Sequence, residues 1–139
     1  MKTTVFLDTG YVIALLSTRD RFHAKAVEIS YSLEQNQTRL LTTPAIVFEI
    51  GAAFSRLSHR PAAKQFLDYL HSSSLVEIAP LTPSRYQRAY QLFAERMDKE
   101  WSLADCLSFV VMEEYHITDA LAADAHFTQA GYRPLLVEL

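Results

Sequence analysis

The chain has 139 residues; half are hydrophobic, and 13 basic and 16 acidic side chains give a net charge of −3. This composition excludes a disordered or fibrous protein, and the length fits a single domain over residues 1–139. The one cysteine, Cys106, excludes an internal disulfide and fits a reducing compartment. The longest apolar run, 11–16, is too short to cross a bilayer, so we expect a cytoplasmic protein with no membrane partner. The acidic balance also argues mildly against a protein that covers nucleic acid with positive charge.

Strands and helices alternate along the predicted secondary structure. In chain order, the first elements are a strand over 4–7, helices over 10–17 and 21–35, a strand over 40–43, and a helix over 44–57. These are followed by a helix over 61–72, a strand over 75–78, a helix from 83, a helix over 103–115, a strand over 121–123, a helix over 125–130 and a strand over 133–137. Strands separated by helices predict an α/β sandwich with a mostly parallel sheet.

Two of these helices carry further expectations. The helix over 103–115 is apolar around much of its circumference, which predicts a central position in the fold. On the helix from 83, the side chains of Tyr86, Tyr90 and Phe93 share one face and are expected to contact either the core or a partner.

Four carboxylates, far apart in the sequence, are predicted at one end of the sheet. Asp8 follows the first strand directly, and Asp124 follows the strand over 121–123. Glu49 borders the buried stripe of the helix after the second strand, and Asp105 lies in the first turn of the most apolar helix. In an open parallel sheet, ligands bind beyond the carboxyl ends of the strands. The four acids are therefore candidates for one binding crevice.

Each acid also has a purely structural interpretation. Asp8 and Asp124 are of the residue type that caps helix N-termini, and Ser102 with Asp105 resembles a capping box. Glu49 could turn to solvent. The neighbouring His126 could approach a substrate, but we expect it to be exposed at a helix start. Four such coincidences at one sheet end are less probable than any single one, which favours a site.

The chemistry of clustered carboxylates indicates a divalent cation. Like charges repel, and their burial is costly unless a positive charge compensates. No Lys or Arg lies within two residues of Asp8, Asp105 or Asp124. Oxygen ligands select Mg²⁺ or Mn²⁺, and such a metal suits phosphodiester hydrolysis, because it lowers the pKa of a bound water and neutralises charge on phosphorus.

Four segments of the chain together resemble a PIN domain, and the length and architecture are most similar to the VapC-type ribonuclease toxins of toxin–antitoxin pairs. The segments are 5–9, the helix with Glu49, 101–112 and 124–132. The resemblance implies a PIN-like three-layer α/β/α sandwich and an endoribonuclease dependent on Mg²⁺ or Mn²⁺. It implies as catalytic, metal-holding residues Asp8, Glu49, Asp105 and Asp124.

The same resemblance assigns supporting roles. Thr9 and Ser108 match polar positions beside the acids and would orient a carboxylate or a water. Ala104 and Ala122 stand where many relatives have Thr, so two hydroxyls are missing. Because no acid is missing, we expect weaker tuning of the site and retained activity.

The sequence also predicts protein partners and leaves an alternative function open. The helices over 21–35 and 61–72 leave apolar edges for a homodimer and for the inserted helix of a cognate antitoxin. The alternative function is a non-catalytic PIN-like module that binds RNA or protein. An aspartic protease, suggested by the tripeptide 8–10, is excluded because that fold is almost wholly β and rich in glycine, whereas this chain is dominated by helices.

Overall fold

The structure, a computed structural model, describes residues 3–138. Within them, one five-stranded sheet has the strand order β3-β2-β1-β4-β5, and every neighbouring pair runs parallel. The strands are β1 (Thr4–Leu7), β2 (Arg39–Thr42), β3 (Val76–Ile78), β4 (Asp119–Leu121) and β5 (Arg133–Pro134). β1 is therefore the central strand.

Helices connect the strands and flank the sheet. They are α1 (Thr9–Leu16), α2 (His23–Gln35), α3 (Pro44–Ala53), α4 (Arg60–Ser72), α5 (Pro83–Glu95), α6 (Leu103–Glu114) and α7 (Ala125–Gln129). A short 3-10 helix, Leu135–Val137, follows β5. The predicted α/β sandwich with a mostly parallel sheet is confirmed. The prediction that residues 1–139 form one domain stays a prediction.

The central strand is held in place from both sides. Val5, Phe6 and Leu7 are almost fully buried, as expected of a strand covered on both faces. The Thr42 hydroxyl at the end of β2 donates a 2.9 Å hydrogen bond to the Leu7 carbonyl. On the other side, the Asp8 amide donates to the Leu121 carbonyl of β4 at 3.3 Å. The carboxyl end of β1 is thereby fixed between its two neighbours.

The sheet topology creates a crevice at this same end. From β1 the chain adds β2 and then β3 on one side, and then crosses to add β4 and β5 on the other. The strand order thus reverses between β1 and β4. Such a switch point is where open parallel sheets bind ligands, beyond the carboxyl ends of the strands.

An aromatic cluster packs α7 against α6 close to this crevice. Residues 106–112 of α6 are all buried, which confirms its predicted central position. The Phe109 ring meets Trp101 and Phe127 edge-on, with centroids 5.1 and 5.2 Å apart, and stacks with Tyr132 at 5.7 Å. Burial of large aromatic side chains dominates core energetics. The cluster therefore sets the position of the α7 N-terminus.

Three predicted elements begin or end at other residues than the sequence indicates. The helix over 44–57 ends at Ala53, because the chain turns at Phe54 so that α4 can pack against α3; Leu57 is left 88% exposed. The strand predicted over 121–123 lies at Asp119–Leu121, and the strand predicted over 133–137 is only two residues long. Pro134 has no N–H to extend the ladder, and the Leu136 amide instead donates to the Ala122 carbonyl.

On α5, the prediction that the aromatic face contacts the core is wrong. Tyr86, Tyr90 and Phe93 are 52%, 56% and 44% exposed. Contact of this face with a partner stays a prediction. Among the described residues, no helix is long and apolar enough to cross a membrane.

Candidate active site

Asp8 is the buried centre of the candidate site. It follows β1 directly and caps α1, with its Oδ2 atom 3.4 Å from the donating Gly10 amide. Only 8% of the residue is exposed. The burial follows from the position of β1 in the middle of the sheet, with strands on both sides.

Glu49 approaches Asp8 from α3 and is held by a hydroxyl. The Thr9 Oγ1 atom donates a 2.6 Å hydrogen bond to Glu49 Oε1. This contact turns Glu49 into the crevice and excludes the alternative in which it faces solvent. Thr9 thus makes the kind of contact predicted for it, a hydrogen bond to one of the acids.

The other two acids are joined by His126. The His126 Nδ1 atom lies 3.0 Å from Asp105 Oδ2 and 3.2 Å from Asp124 Oδ1. Both acids also cap helices: Asp105 forms a capping box with Ser102 on α6, and Asp124 Oδ1 accepts the His126 amide at the start of α7. The capping interpretation of these acids is therefore correct, and it coexists with their convergence.

Three of the acids line one open cleft of about 460 Å³. Its walls carry Asp8, Glu49 and Asp124, and its rim carries Arg21 and Phe22 from the loop between α1 and α2. The Arg21 guanidinium lies over the Phe22 ring, 4.7 Å from its centroid. No local sequence pattern associates Arg21 with the acids, because they share a cleft only in the folded structure.

The electrostatics of the cleft act most strongly on Asp8. Burial, reinforced by the negative charges of Asp105 and Glu49, raises the pKa of the Asp8 carboxyl to about 7, although the Gly10 hydrogen bond works in the opposite direction. Asp105 does not line the cleft, but His126 joins it to Asp124, which does. All four predicted acids therefore lie at one end of the sheet.

The donor chemistry of the site fits a hard divalent cation. Within residues 3–138, no three acidic, His or Cys side chains lie in an arrangement that could hold a metal ion as they stand. The acids instead form an open set of carboxylate oxygens around a buried Asp8. Mg²⁺ keeps several waters and takes only one or two direct carboxylates, so an open set of oxygen donors suits it.

Ser108 and His126 are the subjects of two further predictions from the sequence. The Ser108 hydroxyl donates to the Ala104 carbonyl at 3.0 Å, within its own helix, so its predicted role beside an acid stays a prediction. The expectation that His126 is exposed is wrong: 26% of its side chain is accessible, because α7 packs on α6 and brings the ring against Asp105. A histidine two residues after a capping Asp was the only available signal.

Cys106 can be set aside as a nucleophile. It is fully buried, and burial together with the negative charge of Asp105 raises the pKa of its thiol to about 11. The reactive groups of the site are therefore its carboxylates.

The acids lie at the topological switch point of an α/β sandwich, where open parallel sheets bind ligands. The PIN-domain family model matches residues 5–131, and the chain belongs to the PIN-domain family. PIN-domain nucleases generally use a divalent metal. Two curated relatives are the 23S rRNA-specific endonuclease VapC20 of Mycobacterium tuberculosis, from strains CDC 1551 / Oshkosh and ATCC 25618 / H37Rv. Each is 26% identical over 129 residues, which cover 92% of this chain and 95% of the relative.

Solved structures agree with this assignment. The crystal structure of Mycobacterium tuberculosis VapC20, described as a sarcin–ricin loop cleaving toxin, superimposes with a TM-score of 0.79 at 25% identity, over 92% of this chain and 95% of that one. FitAcB from Neisseria gonorrhoeae has a TM-score of 0.62 at 19% identity, over 94% and 95% of the two chains, and shows the fold alone. The predicted family, PIN-like fold and nuclease class are confirmed.

The raised pKa of Asp8 predicts an unusual pH dependence of stability for the metal-free chain. The folded pKa, about 7, exceeds the unfolded value of 3.8, so the folded state holds a proton that the unfolded state releases. Stability from this group is complete below about pH 4 and is lost as the pH rises to about 7. Asp8→Asn should therefore stabilise the chain in EDTA at pH 8, by on the order of 4 kcal/mol.

Urea denaturation of both proteins at several pH values between 4 and 8 checks this. The advantage of Asp8→Asn should grow up to about pH 7 and then level off. Asp98→Asn is the control with the opposite sign, because the Arg96 hydrogen bond lowers the pKa of Asp98 to about 2. Its effect should be constant between pH 5 and 8. An Asp8→Asn protein no more stable than the wild type at pH 8 would contradict the assignment.

Proposed function

We propose that this chain is an endoribonuclease that hydrolyses RNA phosphodiester bonds with Mg²⁺ or Mn²⁺ held by Asp8, Glu49, Asp105 and Asp124, and that it is the toxin of a toxin–antitoxin pair acting in the cytoplasm. The observation that carries the proposal is the burial of Asp8 among like charges at the switch point of the sheet. Similarity to VapC20 supports RNA as the substrate class.

A cation would provide what the acids lack, which is a positive charge beside a phosphate. When bound, it would lower the pKa of a water and neutralise the charge that develops on phosphorus. The carboxylates of Asp8, Glu49, Asp105 and Asp124 would hold it, one or two of them directly and the others through bound water. Because Asp8 has a pKa of about 7 in the metal-free chain, it would release a proton when the cation binds near or below that pH.

Glu49 is the carboxylate best placed to accept a proton from the attacking water. Thr9 holds it through Oε1, so that Oε2 remains for a second hydrogen bond. Since the nucleophile is water and not the ribose 2′-hydroxyl, the products would carry 5′-phosphate and 3′-hydroxyl ends. Thr9 would act by fixing the orientation of Glu49.

Arg21 is proposed to bind a phosphate of the RNA at the rim of the cleft. It lines the same cleft as Asp8 and Glu49, and its contact with the Phe22 ring limits its freedom. A guanidinium matches phosphate geometry through paired hydrogen bonds. By contrast, Arg85 and Arg88 are both engaged by Glu114 and are poor candidates for this role.

Cleavage of RNA by the purified chain is the direct test of the proposed function. With Mg²⁺ or Mn²⁺, 23S rRNA and total RNA should be cut, and the products should have 5′-phosphate ends. Asp8→Asn and Asp105→Asn should each lower the rate at least about 100-fold, because each removes a carboxylate charge that would hold the cation. Asp68→Asn, an exposed partner of Lys64, is the matched control and should keep full activity.

Two outcomes would count against this proposal. Undiminished cleavage by both Asn variants would overturn the site assignment. If the wild type binds RNA with metal present but cuts none of the tested RNAs, the alternative of a non-catalytic PIN-like binding module gains the support. Circular dichroism of each variant shows whether the fold is retained.

Substitution of Arg21 tests the phosphate contact separately from the chemistry. Arg21→Gln should weaken RNA binding about tenfold and raise KM with little change in kcat, because the contact is made before and during the reaction. The slope of log affinity against log salt should fall by about one. Arg19→Gln, in the same loop but outside the cleft, is the control. Equal losses in both variants would remove the special role of Arg21.

Two surfaces outside the cleft are proposed to bind protein partners. A cavity of about 640 Å³ between α3 and α4 is lined by apolar side chains that include Phe54, Leu57 and Leu67 together with polar ones, and it suits an amphipathic helix of an antitoxin. The polar lining residues are Arg60, Lys64, Asp68 and His71. The exposed aromatic face of α5, with Tyr86 and Tyr90, is proposed to be covered in a homodimer.

Two reciprocal substitutions test these surfaces. Leu57→Asp should prevent co-purification with the product of a small neighbouring gene and leave the mass in light scattering unchanged. Tyr90→Asp should convert a dimer to a monomer and leave co-purification intact. Both expectations follow from placing a charge in a surface that must become dry. A wild-type chain that is monomeric at all concentrations would contradict the dimer.

A further inference from the structure

We infer that His126 is a positioning residue, which aligns Asp105 and Asp124 so that one oxygen of each carboxylate is presented to the divalent cation. The inference rests on the proposed function, because it concerns the same metal site. It starts from the one side chain that contacts two of the four acids.

The contacts around His126 divide the four carboxylate oxygens of Asp105 and Asp124 into two pairs. Nδ1 donates to Asp105 Oδ2 at 3.0 Å and lies 3.2 Å from Asp124 Oδ1. Asp105 Oδ2 also accepts the Ser102 amide, and Asp124 Oδ1 accepts the His126 amide. The other two oxygens, Asp105 Oδ1 and Asp124 Oδ2, accept no hydrogen bond from residues 3–138. These two are the oxygens that remain for a cation.

The carboxylate acceptors beside Nδ1 determine the tautomer of the ring. A carboxylate oxygen only accepts, so Nδ1 must carry the hydrogen in the contact with Asp105. Metal-binding carboxylates are commonly held by hydrogen bonds of this kind, and loss of one such partner typically weakens metal binding 10- to 100-fold.

No hydroxyl is available to do the same work from the chain positions next to these acids. Ala104 precedes Asp105, and Ala122 lies two residues before Asp124. Ser108 donates within its own helix. The imidazole, brought in by the packing of Phe127 against Phe109, is the donor that contacts both acids.

The helix start does not depend on the imidazole. The cap of α7 is the bond from the His126 backbone amide to Asp124 Oδ1, which any residue except proline can make. Replacement of the side chain therefore leaves the cap in place and removes only the contacts with the two acids. This separates a positioning role from a purely structural one.

The test is a titration of the full chain with Mn²⁺ alone, followed by electron paramagnetic resonance and calorimetry. His126→Leu should weaken Mn²⁺ binding about 10- to 100-fold. His126→Asn should bind Mn²⁺ within about threefold of the wild type, because the Asn amide offers an N–H close to the position of Nδ1. His126→Gln places its amide near the position of Nε2 and should resemble the Leu variant.

Thr128→Val is the matched control on the same helix, at an exposed position whose side chain makes no hydrogen bond to the acids among residues 3–138, and should bind Mn²⁺ as the wild type does. If the Leu variant does not fold, the comparison of the Asn and Gln variants decides, since both are polar. Saturating Mn²⁺ should restore most of the kcat of the weak variants, which a general loss of structure would not allow.

The outcomes separate this inference from the function on which it rests. Wild-type affinity in His126→Leu, or Asn and Leu variants that are equally weak, overturns the positioning role. If Asp105→Asn is weak while His126→Leu is normal, only the role of His126 fails. If the wild type and Asp105→Asn bind Mn²⁺ equally, the proposed metal site itself fails, and the inference fails with it.

Discussion

The burial of the Asp8 carboxylate at the end of the central strand is the constraint on which the site depends. β1 has a neighbour on each side, so the residue that follows it cannot reach bulk water easily. Charging Asp8 is unfavourable there, and Asp105 and Glu49 make it more so. A buried carboxylate of this kind destabilises the metal-free fold. A bound cation would compensate its charge. Many active sites lose stability for the sake of function in this way.

The same side chains build the fold and the site. Asp8, Asp105 and Asp124 each use one oxygen to cap a helix, and those caps satisfy backbone amides that would otherwise lack partners. The capping bonds fix the direction of each carboxylate. These three acids are therefore held rigidly without further helices or strands, because each lies at the start of a helix. In this PIN domain the capping interpretation of the three acids is correct, and their role in holding a metal stays a prediction.

Much of this arrangement could be predicted from the sequence because it depends on local signals. A short apolar strand followed by Asp-Thr-Gly places Asp8 at a strand end, and a seven-residue buried run centred on Phe109 indicates the central helix. Errors arose where non-local contacts decided the outcome. Pro134 truncates the last strand while Leu136 pairs with Ala122, and the turn at Phe54 depends on how α4 packs. No pattern within a few residues of these positions encodes those contacts.

By itself, the sequence determined the alternation of strands and helices, the four acids, and the absence of a local basic residue beside three of them. These are properties of residue type and spacing. Only the tertiary structure decided that Thr9 holds Glu49, that Arg21 reaches the rim of the cleft, and that His126 joins Asp105 to Asp124. Each of these contacts connects segments that are between 13 and 40 residues apart in the chain or depends on the packing of one helix on another. Such contacts exist only after the core has placed the segments together, which is why composition and periodicity could not reveal them.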